Sequence, residues 1–365
     1  MKKILIFAPT SPSSGITQYI LNILSVLHTE NVHFDILSFK NYRLKAWCEE
    51  NSSEYFEFDI SPYKQRKKYN KFLKDVFSRK YDAVYYNISV ITNLQIFKSA
   101  KKYSNAKLIV HSHNSLLENS SKLIRFVFYY IHKILRLVAN KYFYKKCACS
   151  LVASEWMYGK KNAKDALILE NAIDAEKFKY NADYVQELKT ELGIKTKYVV
   201  GNIGRFVLQK NHTFILDVFS ELSKINDDCT LVLIGNGEFE NDIKQKVKDL
   251  SLEQKVVFVD FQENIFKYYS LFDLFLLPSL FEGLPITLVE AQANGLVSLV
   301  SDAVTTKSDI TGLLDFMSLS ASAKKWAEEV NEKLGTPRMD TTKIIYEKGY
   351  SLKGQAKKLY DLFFE

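Results

Sequence analysis

The sequence predicts an α/β protein made of two doubly wound parallel sheets. Short apolar runs typical of buried strands alternate with amphipathic helical patterns along the whole chain. This alternation implies parallel sheets with helices on both faces. The runs form two series that part near residues 174–183, and 365 residues with 47% apolar content suffice for two cores. We therefore predict one domain over 1–180, a second over 181–350 and a terminal helix over 351–365.

The strand candidates follow from the apolar runs, and the helix candidates from the patterns between them. In the first series they are 3–8, 33–38, 83–87, 108–111, 151–153 and 167–169. In the second they are 198–203, 230–234, 255–259, 274–277 and 297–300. Examples of the helices are 17–27, 211–225 and 238–250.

Composition points to the cytoplasm. The basic, apolar N-terminus resembles a signal peptide, but its apolar run is short and no small-residue cleavage site follows. No run of 18 uncharged apolar residues predicts a spanning helix. The cysteines show neither a disulfide framework nor zinc spacing; they are Cys48, Cys147, Cys149 and Cys229.

Charge is distributed unevenly. The chain carries +8 overall, but residues 1–182 hold 29 Lys and Arg against 15 Asp and Glu, and the remainder holds 21 against 27. A basic half predicts an anionic partner: a nucleic acid, a membrane surface or an acidic acceptor. No nucleic-acid-binding motif accompanies it.

The most informative motif runs from Pro278 to Gly295. An apolar strand leads into a loop that carries Glu282, and a helix with Pro285 in its first turn carries Glu290. Free N–H groups at such a helix start attract phosphate. The two carboxylates could hold opposite ends of an extended anionic ligand, such as a nucleotide-sugar.

A second loop, 201–212, also joins a strand to a helix. Gly204 allows a close turn, and Arg205 and Lys210 place two cations at a strand end, which suits a diphosphate. A solvated loop with two surface charges is the alternative reading of this segment taken alone.

Two glycine turns are weaker signals. Gly15 follows the first strand and could let the backbone approach a phosphate or sugar, or it simply opens a helix. The turn from Gly235 to Gly237 is either a phosphate turn or a plain strand-to-helix turn, because it lacks the rest of a dinucleotide fingerprint.

Two histidines end a strand at His111 and His113. We take their i, i+2 spacing to point them to opposite faces and therefore do not expect a metal pair. We expect His113 to contact a sugar or to assist catalysis; a purely structural histidine is the alternative.

Residues 122–144 form a basic helical pattern with a wide apolar and aromatic face. Its predicted membrane- or acceptor-binding cations are Lys122, Arg125, Lys133 and Arg136. This composition suits an anionic membrane surface. The alternative is a helix packed on its sheet with a solvated basic face.

Together these motifs resemble glycosyltransferase family 4, the retaining enzymes of GT-B fold. The most specific match is the E-x7-E signature within Phe281-Glu-Gly-Leu-Pro-x4-Glu-Ala. Gly-Arg-x4-Lys-Asn-His, His-Ser-His-Asn and Asn-x2-Asp fall where the family places them, so the resemblance covers nearly the whole chain. It implies two Rossmann-like domains facing a central cleft, with the terminal helix packed on the first.

The resemblance also implies residue roles. Glu282 would contact the donor sugar, Glu290 the ribose, and Arg205 and Lys210 the diphosphate, with His113 opposite them. The other implied donor-binding residues are Gly15, Gly204, Gly283, Leu284, Pro285, Ile286 and Asn264. Ala172 stands where the family usually has glycine, which would tighten that loop. Asp260 also stands where a glycine is common, so the pattern defines the contacts around Gln262–Phe266 less well.

The implied reaction moves a sugar from a nucleotide-sugar, UDP-linked by resemblance, to a saccharide acceptor, lipid-linked, in capsule or exopolysaccharide synthesis. No metal or other cofactor is expected. We favour a front-face route, because no further carboxylate stands out as a nucleophile. The implied location is the inner face of the cell membrane, as a peripheral protein. A non-catalytic GT-B subunit that binds a partner transferase or glycoprotein is the alternative.

Overall fold

The computed structural model describes residues 2–12, 14–28, 31–113, 122–262, 264–282 and 284–364, with only the backbone of 122–125. The chain divides into two compact units. The first contains Met1–Glu170 and Gln355–Glu365, and the second contains Asn171–Gly354. The second unit begins about ten residues before the predicted boundary, because Ile173 pairs with Ser351 and is buried in its core.

The first unit is built around a parallel sheet. Its described strands are β1 (Lys2–Ala8), β2 (Val32–Ser38), β3 (Tyr55–Glu57), β4 (Ala83–Ile88), β5 (Lys107–Ser112), β6 (Lys145–Ala148) and β7 (Leu167–Ile168). These seven lie in the order β3-β2-β1-β4-β5-β6-β7. Its helices are α1 (Gly15–Leu27), α2 (Tyr42–Glu50), α3 (Arg66–Phe77), α4 (Gln95–Ser99), α5 (Lys122–Ala139) and α6 (Leu151–Tyr158).

One predicted strand of this unit is wrong. Residues 151–153 are the first turn of α6, because Ser150 caps that helix by accepting a hydrogen bond from the Ala153 amide at 3.2 Å. The strand lies just before it, in β6, where Lys145 and Lys146 obscure the apolar pattern. The three-residue strand β3 is too short to show a period.

The second unit repeats the architecture. Its described strands are β8 (Tyr198–Ile203), β9 (Cys229–Ile234), β10 (Val256–Val259), β11 (Leu274–Leu277), β12 (Ser298–Ser301) and β13 (Leu314–Met317), in the order β10-β9-β8-β11-β12-β13. Its helices are α7 (Ala182–Glu191), α8 (His212–Ile225), α9 (Glu240–Asp249), α10 (Phe266–Leu271), α11 (Ile286–Ala293), α12 (Ala323–Lys333) and α13 (Thr342–Glu347). Edge strand β13, which sequence reasoning missed, is only half-buried over most of its length.

The last helix, α14 (Leu352–Phe364), returns the chain to the first unit. Leu359, Leu362 and Phe363 are buried in the same apolar cluster as Ile4 and Tyr85. The first core is therefore completed by residues from both ends of the sequence.

Each sheet has a topological switch point, where the chain leaves two neighbouring strands in opposite directions. In the first unit it lies between β1 and β4, and in the second between β8 and β11. Ligands of open α/β sheets bind beyond the carboxyl ends of the strands at such points. In the second unit, a ligand site is therefore expected at the loops after β8 and β11.

Candidate active site

The loops after β8 and β11 are fastened to each other. The Leu280 amide donates to the Gln209 carbonyl at 2.8 Å, and the Gln209 side chain donates back to the Phe281 carbonyl at 2.9 Å. Asn211 adds a bond from its side-chain amide to the Pro278 carbonyl at 3.1 Å. Three hydrogen bonds between two loops restrict both, so the side chains that they carry are held in place before any ligand binds.

Lys210 and Glu282 meet where these loops join. Lys210 Nζ lies 2.5 Å from Glu282 Oε1, and Ser279 Oγ donates to the same oxygen at 3.1 Å. The two charged side chains are only 14% and 9% exposed. A Cβ on Gly204 would lie 3.3 Å from Lys210 Cε, so the glycine leaves room for the lysine stem. The structure thus brings together three of the predicted residues.

Arg205 lies in the same loop, half-buried, and its carbonyl accepts from the Val207 amide at 2.8 Å. Two cations of one loop therefore stand at the carboxyl end of β8, where an anion would also meet the start of α11. A diphosphate is the common biological ligand of that charge pattern.

The start of α11 is defined on either side of Gly283, which lies outside the described residues. Pro285 precedes the helix, and its carbonyl accepts from the Leu288 amide at 3.1 Å. Ile286 is the first helical residue, and the Leu284 carbonyl accepts from the Asn171 side chain at 3.0 Å. The implied donor-binding residue Asn264 is exposed in the turn before α10.

Glu290 is buried inside α11, only 4% exposed. The Tyr269 hydroxyl of α10 donates to its Oε2 at 2.6 Å. Burial raises the pKa of the Glu290 carboxyl to about 7, and the tyrosine hydrogen bond opposes this rise. A carboxyl held this way accepts hydroxyl hydrogen bonds most strongly when it is ionised.

In the first unit, His113 follows β5. Its Nε2 lies 2.8 Å from Asn87 Oδ1, and the Asn87 amide nitrogen donates to the Tyr85 carbonyl. Nε2 therefore carries the proton, which leaves Nδ1 as an acceptor. Burial lowers the pKa of His113 to about 3, so the ring is neutral at pH 7. His111 is fully buried, with Nδ1 2.5 Å from the Tyr85 hydroxyl. The centroids of the His111 and His113 rings lie 4.2 Å apart, so the expectation that they point to opposite faces is wrong, because residues two apart along a strand line the same face.

Gly15 is the exposed first residue of α1. Ser14 caps that helix by accepting from the Ile16 amide at 3.2 Å. This geometry is an ordinary helix start, and it also leaves the Gly15 backbone open to solvent.

Helix α5 turns apolar side chains outward. Phe126, Tyr130, Ile134 and Leu137 are 61%, 51%, 64% and 74% exposed. Because they stand at positions i, i+4, i+8 and i+11, they share one face of the helix. On the inner side His132 is fully buried, with Nε2 3.0 Å from the Trp156 carbonyl.

The predicted cations of α5 differ in placement. Arg136 donates to the carbonyls of Trp156 and Glu155 at 2.6 and 3.2 Å. Lys133 Nζ lies 5.1 Å from the centre of the Tyr129 ring and 5.9 Å from that of Trp156. The side chains of Lys122 and Arg125 lie outside the described residues. Over the described side chains, residues 126–139, the exposed face of α5 is accordingly apolar rather than basic.

Among the described residues, no helix has both the length and the apolarity to cross a membrane. The same part of the chain contains no group of three or more His, Cys, Asp or Glu that could hold a metal ion.

Comparison with known proteins identifies the second unit. Residues 185–348 match the family described as "Glycosyl transferases group 1". The second unit is a group 1 glycosyltransferase domain. It contains both loops, Lys210, Glu282 and Glu290, so the candidate site lies within the matched segment.

Named relatives of this glycosyltransferase domain include two bacterial proteins. The Bacillus subtilis protein EpsF, whose name assigns it to the glycosyltransferases, is 33% identical over 224 residues, 60% of this chain and 58% of that protein. The Escherichia coli UDP-Gal:alpha-D-GlcNAc-diphosphoundecaprenol alpha-1,3-galactosyltransferase is 30% identical over 139 residues, 37% of this chain and 36% of that enzyme. The matches thus span less than two thirds of either relative.

Solved structures resemble the fold of this chain from end to end. The Anabaena protein HepE, solved with UDP and glucose, has a TM-score of 0.79 at 16% identity and covers 99% of both chains. The WaaG glycosyltransferase of lipopolysaccharide biosynthesis has a TM-score of 0.70 at 12% identity, covering 99% and 97%. The predicted GT-B fold, with two Rossmann-like units, is confirmed.

Sequence reasoning missed several residues that build the candidate site. Tyr269, Gln209 and Ser279 contact the predicted side chains or loops, and Asn171 donates to the Leu284 carbonyl. Gln209 and Ser279 each stand next to or within a recognised motif, which is a usable signal. Tyr269 had none beyond its apolar helix.

Proposed function

We propose that the chain is a retaining glycosyltransferase of family 4 that uses a UDP-linked sugar. The observation that carries this proposal is the 2.5 Å contact between Lys210 and Glu282 at the switch point of a group 1 glycosyltransferase domain. It sets a cation for a diphosphate directly beside an acceptor for sugar hydroxyls.

The donor would lie along the start of α11. Glu282 would accept hydrogen bonds from the sugar, Arg205 and Lys210 would hold the diphosphate, and Glu290 would bind the ribose. Leu284, Pro285 and Ile286 would line this path with Gly283. From the loop with Glu282 to the second turn of α11 with Glu290, this path spans about 10 Å, which suits the extended shape of a nucleotide-sugar.

The reaction breaks the bond between the anomeric carbon and the diphosphate oxygen and joins that carbon to the acceptor oxygen. In the front-face route the departing diphosphate takes the acceptor proton. Lys210 and Arg205 would stabilise the charge that grows on the leaving group. They and the helix start would do this without a metal or other cofactor.

The proposed substrates follow from charge and from relatives. The Escherichia coli relative acts, by its name, on a lipid-linked diphosphate sugar, and HepE was solved with UDP and glucose. We assign the acceptor, a lipid-linked saccharide in capsule or exopolysaccharide synthesis, to the basic first unit. His113 Nδ1 is an acceptor there for a sugar hydroxyl.

We further propose that α5 docks on the inner face of an anionic membrane as a peripheral contact. A contiguous exposed stripe of four large apolar side chains is unusual on a soluble surface. The first unit's net positive charge complements anionic lipid. The apolar face itself would enter the lipid interface, and the first unit's charge would guide approach.

Turnover of a panel of nucleotide-sugars tests the enzyme proposal. We expect the true donor to raise the melting temperature and to release its nucleotide slowly without acceptor. Glu282→Ala should lose this release, whereas Glu221→Ala on α8 should keep it. Chelation of divalent metal should leave the rate unchanged.

Equal nucleotide release from wild type and Glu282→Ala would overturn the catalytic assignment. Absence of any donor shift or release would instead favour the non-catalytic subunit, which binds a partner transferase or glycoprotein.

A further inference from the structure

Glu290 and Tyr269 form a buried hydrogen-bonded pair inside the second unit. The tyrosine is fully buried, the glutamate is 4% exposed, and the bond from the hydroxyl to Oε2 is 2.6 Å. Tyr269 donates to Oε2, and an ionised carboxylate has further lone pairs that can accept hydrogen bonds from a ligand. The hydroxyl therefore fixes which way the carboxylate is turned.

Tyr269 is itself held rigidly. Arg338 donates to the carbonyls of Tyr269, at 3.2 Å, and of Phe272, and its other terminal nitrogen donates to Asn294 Oδ1 at 2.7 Å. One guanidinium thus joins the end of α10 to the end of α11. The tyrosine ring also packs against Phe275, with centroids 5.9 Å apart.

The pKa of the Glu290 carboxyl lies near physiological pH. Burial is the largest influence and raises the pKa of Glu290 to about 7, and the Tyr269 bond lowers it. Titratable groups on or next to the neighbouring elements include Lys267, Tyr268, Asp273, Asp302, Lys307, Asp309 and Arg338. Lys267 pairs with Glu187 at 2.7 Å, Asp273 accepts from the Val199 amide, Asp309 accepts from the Gly312 amide and Arg338 donates to Asn294. Asp302 and Lys307 are exposed, and the buried Tyr268 is influenced by Glu191 and Glu187 of α7.

We propose that Tyr269 is a positioning residue that keeps Glu290 charged and oriented for the ribose hydroxyls, so that nucleotide binding releases a proton from Glu290. This rests on the proposed function, in which Glu290 binds the ribose. An ionised carboxylate offers lone pairs to both ribose hydroxyls and to Tyr269, whereas a protonated one needs an acceptor itself. Below neutral pH the ligand must therefore drive deprotonation.

UDP affinity measured by calorimetry between about pH 6 and pH 9 tests this inference. In Glu290→Gln, only the titration of UDP itself changes the affinity with pH. From pH 6 to pH 8 the affinity of wild type for UDP should therefore rise about tenfold more than that of Glu290→Gln. In Tyr269→Phe the increase in UDP affinity should occur about one pH unit higher, because the charged Glu290 carboxylate loses the hydrogen bond from Tyr269. Tyr268→Phe, its neighbour facing α7, should match wild type.

Several outcomes would overturn the inference. If UDP binds but Tyr269→Phe keeps the wild-type pH profile, Tyr269 does not tune Glu290. If Tyr269→Phe does not fold, proton release in wild type decides, from calorimetry in buffers of different ionisation enthalpy. Equal release by wild type and Glu290→Gln would sink the proposal. Failure of wild type to bind UDP or any other nucleoside diphosphate would instead remove the proposed function beneath it.

Discussion

Lys210 Nζ and Glu282 Oε1, 2.5 Å apart, join two loops that leave the sheet at neighbouring strands. Both side chains are largely removed from solvent. A lysine ammonium has three donors, so Lys210 can hold Glu282 and still donate to a diphosphate. This one ion pair therefore positions both the Glu282 carboxylate and the Lys210 ammonium before a ligand binds.

Replacing Lys210 by Ala should lower turnover about 100-fold or more, because a charge that meets the leaving group is lost. Affinity for UDP should fall as well, since the diphosphate loses a partner. Steady-state rates and calorimetry measure the two effects. Lys224→Ala, whose exposed ammonium pairs with Glu221 on α8, is the matched control. Wild-type turnover in Lys210→Ala would contradict the assigned role.

The sequence predicted the parts of this site that are local. Glu282, Pro285 and Glu290 stand in one strand-loop-helix segment, whose turn and helix signals are readable from neighbouring residues. Arg205 and Lys210 follow the same logic in the loop after β8. Parallel pairing of β8 with β11 then brings the two segments together.

The parts that sequence could not supply depend on distant partners. Asn171 donates a hydrogen bond to the Leu284 carbonyl, 113 positions away, and the residues next to either one do not indicate this contact. Tyr269 meets Glu290 across 21 positions, through packing of α10 on α11. The outward face of α5 was also undetermined, because an apolar stripe looks the same whether it faces a sheet or the surroundings.

Gly235→Ala should disturb the site from behind. Gly235 has φ +139, and a Cβ there would lie 2.2 Å from the Gly204 carbonyl oxygen. The loop that carries Lys210 must then move, so we expect a loss of activity and a destabilisation above about 2 kcal/mol. Urea unfolding and turnover measure these effects.

Gly193→Ala provides the comparison. Its φ is +66, but nothing lies within 4 Å of the added Cβ, so only the backbone term of about 1 kcal/mol is expected. Equal effects of the two substitutions would show that the contact with Gly204 is unimportant.

Acid should weaken the second unit through His212. The ring is 3% exposed and packs on Phe206, and burial lowers its pKa from 6.5 to about 3. Because the folded pKa is the lower one, the unfolded chain binds the proton first. Stability is then complete above pH 6.5 and is lost as the pH falls toward 3. Between pH 7 and pH 5 the loss is about 2 kcal/mol.

His212→Leu should therefore show a smaller fall in melting temperature from pH 7 to pH 5, by about 5 °C. Fluorescence of the buried Trp326 reports this unit in a background with Trp47 and Trp156 changed to Phe. His28→Leu, at an exposed position after α1, should leave the fall unchanged. A wild-type acid response in His212→Leu would exclude this histidine as the cause.

Membrane docking through α5 predicts that Ile134→Asp and Leu137→Asp lose flotation with anionic vesicles, since each puts a charge into the apolar face. Ile225→Asp, an exposed apolar site at the end of α8, should float like wild type. High salt should weaken flotation only in part, because electrostatics guides approach while apolar contact holds the helix. Unchanged flotation of both α5 variants would refute the assignment.

The return of α14 to the first core sets an order for folding during synthesis. A ribosome delivers all of the second unit before it delivers Leu359, Leu362 and Phe363. The second unit can fold as soon as it emerges, whereas the first must wait with part of its apolar surface uncovered. Translation that stops just before residue 355 would leave a complete second unit and a first unit that lacks the buried side chains of Leu359, Leu362 and Phe363.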